Sequence, residues 1–141
     1  VTSTVRDTNA ELAAGSKLVL IEKLLTHDNQ MATSNMKVEL KGEDSTVQVI
    51  SRSVAQDDSV QIFNPLVIGE AACHGHVQCD AIIMGNAKVK AIPGIEAAHE
   101  DAQLIHEAAI GKIAGDQIVK LMTLGLTEEE AEQEIIDDFL N

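Results

Sequence analysis

The feature that most constrains this chain is a succession of short aliphatic stretches cut by polar corners, running from Leu18 to about Ile92. The stretches read LVLIEKLL, MKVEL, TVQVISRSV, SVQIF, PLVIG, HVQCDAIIMG and AKVKAI. Met36, Val38 and Leu40 alternate with Lys37 and Glu39, and the pairs Val47/Val49 and Val60/Ile62 repeat the alternation. A period of two marks strands with one face buried. The corners Lys41-Gly42-Glu43-Asp44-Ser45, Gln56-Asp57-Asp58-Ser59 and Gly85-Asn86 carry good turn chemistry. Strand starts fall at uneven intervals of about 11 to 18 residues, so the sequence shows no strict internal repeat.

The 141 residues are 45% hydrophobic yet include only two aromatics, Phe63 and Phe139. The core must be filled by Val, Ile, Leu, Ala and Met, which suits many short stacked elements better than packing around large rings. A β-solenoid meets that description, and an antiparallel sandwich meets it nearly as well. Residues 1–16 have no sustained period and read as irregular or as the end of a truncated element.

The C-terminus changes character. Ile118, Leu121, Met122 and Leu124 recur at helical spacing, and Gly125 stands where a C-capping glycine belongs. Thr127 with Glu130 three residues on has the form of a capping box for a second helix. Ala131, Ile135, Phe139 and Leu140 would form its apolar face. The acidic side chains between 128 and 138 then read as a solvated helix face.

The formal net charge is −13, with ten Lys and Arg spread along the chain. Such a chain repels phosphate backbones and anionic membrane surfaces, so neither nucleic acid nor membrane is expected as a partner. No apolar run approaches the roughly 20 residues that span a bilayer, and no signal peptide opens the chain. Because Val1 is first, an excised segment is expected. Two cysteines make no disulfide framework and point to a reducing, cytoplasmic setting.

The conspicuous chemistry lies in Cys73-His74-Gly75-His76-Val77-Gln78-Cys79. Thiolate and imidazole ligate zinc and iron, so a metal site, including a metalloenzyme built on Cys73, His74 and His76, has to be considered. On an extended strand, however, Cys73 and Cys79 lie about 20 Å apart and share an ion only if Gly75 marks a sharp corner. The plainer reading makes both cysteines small buried hydrophobes, His74 and His76 solvated corner residues, and His27 and His99 surface groups. His106 beside Glu107 is a ligand or base, or a hydrogen-bonded structural histidine. A phosphate loop, GxSxG, HExxH and an EF-hand loop are all missing from the sequence, so no enzyme class emerges.

Four strings in order alter the weighing: GHVQCDAIIMG (75–85), AIPGIEA (91–97), DAQLIHEAAIGKI (101–113) and LMTLGLTEEEA (121–131). Over about residues 74–140, and more faintly over 34–73, the chain resembles the SufB/SufD family of iron–sulfur cluster assembly proteins. The resemblance implies a mainly β fold, a right-handed parallel β-helix followed by a small C-terminal helical subdomain. Residues 1–33 would be irregular or the truncated start of the β-helix, 34–110 its coils and dimer-interface strands, and 111–141 the helical part.

The function so implied is that of a non-enzymatic scaffold. It pairs as a homodimer or SufB/SufD heterodimer through the β-helix, and binds the SufC-type ATPase through the C-terminal helices. A sulfur donor system supplies it, and it carries a transient iron–sulfur cluster. By the same resemblance Cys79, His106 and Glu107 would be the cluster and metal ligands, with further ligands coming from the paired chain. Glu107 leans toward SufB, whereas GHVQCDAIIMG is similar to simpler SufB/SufD-like proteins that act as homodimers. Cys73 matches no family cysteine, and Ala114 replaces the usual serine cap of the first helix, which should weaken that cap. The alternative is a structural or regulatory dimerisation module that binds the ATPase and holds no cluster.

Overall fold

The computed structural model describes residues 2–113 and 115–141. Among the described residues nine strands precede two helices: β1 Ser3–Leu12, β2 Lys17–Thr26, β3 Met31–Leu40, β4 Ser45–Ala55, β5 Val60–Gly69, β6 Cys73–Ile83, β7 Lys88–Ala91, β8 Gly94–Ala97 and β9 Ala102–Lys112, then α1 Gly115–Thr123 and α2 Glu128–Leu140. Two parallel sheets face each other. One runs β1-β3-β5-β7 with β8 also paired to β5, and the other runs β2-β4-β6-β9. The chain therefore crosses between sheets at every corner and stacks coil on coil, a β-solenoid of about four turns. Every pairing is parallel, which removes the sandwich alternative.

The repeat is far more regular than the apolar stretches imply. Successive coils begin at residues 3, 31, 60 and 88 in one sheet and at 17, 45, 73 and 102 in the other. Each coil thus takes 28 or 29 residues, a period hidden in the sequence because the corners differ in composition. Three corner residues, Asp28, Asp44 and Asp57, adopt positive φ, a conformation aspartate tolerates through its short polar side chain.

Within residues 1–16, expected to be irregular or the end of a truncated element, Ser3–Leu12 form β1, and β2 follows directly. β1 is hard to read because it lies in the outermost described coil and most of its side chains are exposed. Its order comes from the ladder with β3 and from side-chain stacking: Asn64 Nδ2 donates to Asn35 Oδ1 at 2.8 Å, and Asn35 Nδ2 to Asp7 Oδ1 at 2.8 Å.

Between the sheets lies an aliphatic stack of Leu12, Met36, Val38, Leu40, Val47, Val49, Val67 and Val77, with Phe63 the one ring among them. Burying each such side chain contributes about 1.5–3 kcal/mol. The polar groups around Gln61 are paired. Gln61 Nε2 donates to Thr26 Oγ1 at 2.9 Å and to the Val54 carbonyl at 3.0 Å, and the Thr26 and Ser59 hydroxyls lie 2.9 Å apart.

The last coil is interrupted. β7 pairs with β5 up to Phe63↔Ala91, and β8 resumes at Leu66↔Gly94. Carrying the same register across the gap sets Pro93 beside Pro65, and neither ring nitrogen has a hydrogen to donate. The pattern of the strand survives while its ladder breaks.

The helical end follows the sequence reading closely. Gly125 takes φ +99° after α1, a value that needs glycine. The Glu130 N–H donates to Thr127 Oγ1 at 3.1 Å and the Thr127 N–H to Glu130 Oε1 at 3.2 Å, completing the capping box. The buried pair on α2 is Ala131 and Ile136, so Ile136 takes the place expected for Ile135. α2 packs against α1 and β4. The expected weak cap at Ala114 falls outside the described residues. Among the described residues no helix is long and apolar enough to cross a membrane.

Candidate functional site

Strand alternation decides where the reactive side chains go. On β6 the residues Cys73, Gly75, Val77, Cys79 and Ala81 point inward and are buried. Gly75 lies in mid-strand rather than at a corner. Cys73 and Cys79 therefore share a face but stand about 20 Å apart along it, and neither is disulfide-bonded. A Cβ at Gly75 would stand 2.8 Å from Leu104 Cδ2 and 3.2 Å from Val67 Cγ1. The missing side chain lets β9 close over β6.

Cys79 is 1% exposed. Its register neighbours form an inward column, Glu22↔Ser51↔Cys79↔Ala108, across β2, β4, β6 and β9. Burial, with the negative charges of Asp80 and Glu22 adding to it, pushes the Cys79 thiol up to about 11. At neutral pH the sulfur is protonated, and metal loading must remove that proton. Burial likewise raises the Cys73 thiol.

His106 sits on β9 opposite Val77 in the register, two residues before Ala108, the residue opposite Cys79. It shares the inward face with Cys79, and its Nε2 is buried with no hydrogen-bond partner. Burial lowers the pKa of the ring below the ordinary histidine value, and nearby His76 lowers it further. A neutral imidazole with an uncommitted nitrogen is the form that ligates metal.

Glu107 is the next residue and so points outward, where its Oε2 lies 3.3 Å from His76 Nε2. The expected trio of Cys79, His106 and Glu107 does not converge: two members face the interior and one the exterior. The alternative set of Cys73, His74 and His76 divides the same way, with the thiol inside and both imidazoles outside. Among the described residues no three His, Cys, Asp or Glu side chains are gathered in metal-holding geometry. His27 is exposed with Nδ1 2.6 Å from Asp28 Oδ2, and His99 Nδ1 accepts from the Asp101 N–H at 3.0 Å.

Sequence reasoning missed Glu22. This carboxylate is 5% exposed, accepts from the Ser34 hydroxyl at 2.8 Å and meets Arg6 Nη1 at 3.3 Å. A signal was available: Glu22 shares parity with Leu18, Leu20 and Leu24 on β2, which places it inward.

Comparison with known proteins decides the family. The model of the SUF system FeS cluster assembly SufBD core domain matches residues 2–139. The chain belongs to the SufBD family. It is 37% identical over 106 residues to an iron–sulfur cluster assembly SufBD family protein of Pyrococcus horikoshii, covering 74% of this chain and 24% of that one. A SufBD family protein of Methanocaldococcus jannaschii is 37% identical over 103 residues, covering 72% and 33%. One of Staphylococcus saprophyticus is 25% identical over 133 residues, covering 92% and 29%. The chain thus spans between a quarter and a third of the length of these SufBD relatives. Membership ties it to the SUF system of iron–sulfur cluster assembly, and the solenoid with its helical end is the form that the SufB/SufD resemblance led one to expect.

Proposed function

We propose that this SufBD chain serves as a non-enzymatic scaffold on which a transient iron–sulfur cluster is assembled, with Cys79 and His106 as its ligands. The observation that carries the reading is the orphaned, buried His106 Nε2 on the same inward face as the Cys79 thiol. Thiolate and imidazole both ligate iron in clusters, and an unpartnered buried nitrogen costs about 1–3 kcal/mol unless something occupies it. Two ligands leave a cluster incomplete. β9 is the terminal strand of its sheet, so a second SufB/SufD-type chain meeting that edge can bring the rest, in a homodimer or a heterodimer. A carboxylate such as Glu107 can assist only from the outer face or across that junction.

The helical end supports a second contact. α1 has no buried residue; it exposes Val119 and Met122, and Leu124 just after it is exposed too. An apolar stripe of this kind suits docking of the SufC-type ATPase, which would supply the hydrolysis that the scaffold itself lacks. Sulfur would arrive from a donor system, and a reducing cytoplasm would keep both thiols free.

A second reading is favoured by one observation. With its thiol held near 11, Cys79 resists forming the thiolate, as expected of a structural or regulatory module that binds the ATPase without a cluster. Anaerobic reconstitution with iron and sulfide, together with the ATPase, distinguishes the two. The scaffold yields brown, oxygen-sensitive protein whose iron and sulfide fall sharply in Cys79→Ser. The module yields an ATPase complex with no iron, and a cluster that Cys79→Ser leaves undiminished would count against Cys79 as a ligand.

A further inference from the structure

Strand parity turns Lys17, Val19, Ile21, Lys23 and Leu25 to the outside of β2. Val19, Ile21 and Leu25 are 57%, 61% and 45% exposed there. In register beside them on β4 stand Gln48, Ile50, Arg52 and Val54. Ile50 is half-buried and lies opposite Ile21, so the apolar surface spans both strands. Contiguous apolar surface rimmed by charge marks a contact site more often than scattered apolar residues do.

Part of this face already receives a helix. α2 packs against β4, and Arg52 Nη1 donates to the carbonyl of Asn141, just after α2, at 3.5 Å. That seat accounts for Val54, which has outward parity and is nonetheless buried. The seated helix carries acidic side chains and no basic one. The stretch left uncovered has the opposite sign. Lys17, Lys23 and Arg52 are the charged side chains among the outward residues of β2 and β4, and among the described residues neither lysine is ion-paired.

The helical end is the complement of that stretch. It exposes the apolar Val119 and Met122 of α1 together with the carboxylates of α2, among which Glu134 and Asp138 are exposed and one helical turn apart. Within one copy the two surfaces do not meet, since the apolar residues of both are exposed. The seat of α2 on β4 sets them side by side on one flank of the solenoid, so two copies facing each other make the match twice. We propose that the outer face of β2 and β4 docks the helical end of a second copy, reciprocally about a two-fold axis, with Lys17 and Lys23 against the carboxylates of α2. Two-fold contacts of this kind are self-complementary and close at the dimer. The net charge of −13 opposes any self-association, so the contact is a local match set against a general repulsion. It needs only this chain, and it is distinct from pairing at the β9 edge and independent of the scaffold reading.

The test is sedimentation velocity of the whole chain over a concentration series. The expected result is a reversible dimer. Lys17→Glu/Lys23→Glu should weaken it roughly tenfold or more. Glu134→Lys/Asp138→Lys should do the same, although it lowers the net negative charge. The variant with all four changes should recover the dimer. Ile21→Ser should weaken it as well, and should that variant lose stability, Val19→Ser reads the same loss. A chain that stays monomeric throughout overturns the proposal. So does a dimer that both charge reversals leave intact, which points to the β9 edge instead. A four-change variant no better than either pair also overturns it, because the two clusters then do not face each other. Cluster reconstitution in Cys79→Ser reports on the scaffold separately, so either idea can fail while the other stands.

Discussion

Cys79 and His106 occupy adjacent strands of one inward face, His106 standing two residues before the register partner of Cys79. Thiol and imidazole are thereby held by backbone ladders rather than by loops, so their spacing is as rigid as the sheet. Under the scaffold proposal, the two would act as a preorganised pair of ligands rather than one assembled on binding.

If the pair holds iron, His106→Ala should reduce reconstituted iron and sulfide and alter the visible spectrum without abolishing cluster formation. Cys79→Ser should lose most of both. Iron and sulfide assays with absorption spectra, on proteins of matched thermal midpoint, read the difference.

The Cys79 thiol, raised from an ordinary 9.0 to about 11, predicts a pH-dependent stability. The group binds its proton more tightly folded than unfolded. Its contribution is fully present below pH 9 and is lost as pH rises through about 11. Its size is at most about 3 kcal/mol. Urea denaturation across that window should show the decline, and Cys79→Ala should flatten it. Alkylation of native protein should stay slow near neutrality, because the thiolate is scarce and shielded.

Gly75→Ala should destabilise the last coil by about 1–3 kcal/mol, since the new methyl meets Leu104 and Val67 with no room to spare. Chemical denaturation measures the loss. The iron content of reconstituted protein should fall with it, because β9 carries His106.

Gln61→Leu removes the donor to Thr26 and to the Val54 carbonyl while Thr26 keeps its contact with Ser59, at a cost of about 1–2 kcal/mol. Its effect should appear in stability alone, with cluster loading unchanged once the protein is folded.

Just beyond α1, Leu124→Asp should weaken association with the ATPase by roughly tenfold or more if Leu124 is a well-buried anchor of that contact. The thermal midpoint should not move, since Leu124 is 74% exposed. Surface plasmon resonance against the isolated ATPase would show whether the apolar face is used.

The strands from β3 to β7 were legible because their parity is unmixed: Met36, Val38 and Leu40 inward, Lys37 and Glu39 outward; β8 and β9 came only with the resemblance. The capping box at Thr127 was legible because its chemistry is local. β1 was not, since its order comes from partners 28 residues away, and nothing in VTSTVRDTNAEL shows that ladder. Parallel pairing of coils was equally hidden, because alternation looks the same in a sandwich. The site divided along the same line. Inward Cys79 followed from the parity of Val77 and Ala81, whereas the separation of Glu107 from His106 followed from an alternation that motif matching ignores. Glu22 was readable by parity but lay inside an apolar string that drew no notice.

The broken ladder where Pro93 faces Pro65 has a consequence for how the molecule comes together. A stack of parallel coils behaves as a one-dimensional chain of neighbours, each joined to the next by its own interface. The last joint, between the coil of β5–β6 and that of β7–β9, is the one with rungs missing, and the Cys79–His106 pair straddles it. By that measure the final joint has fewer rungs in one sheet than the joints before it, and Cys79 and His106 lie on either side of it. Any contact made at this end would add to the coil whose ladder is shortest.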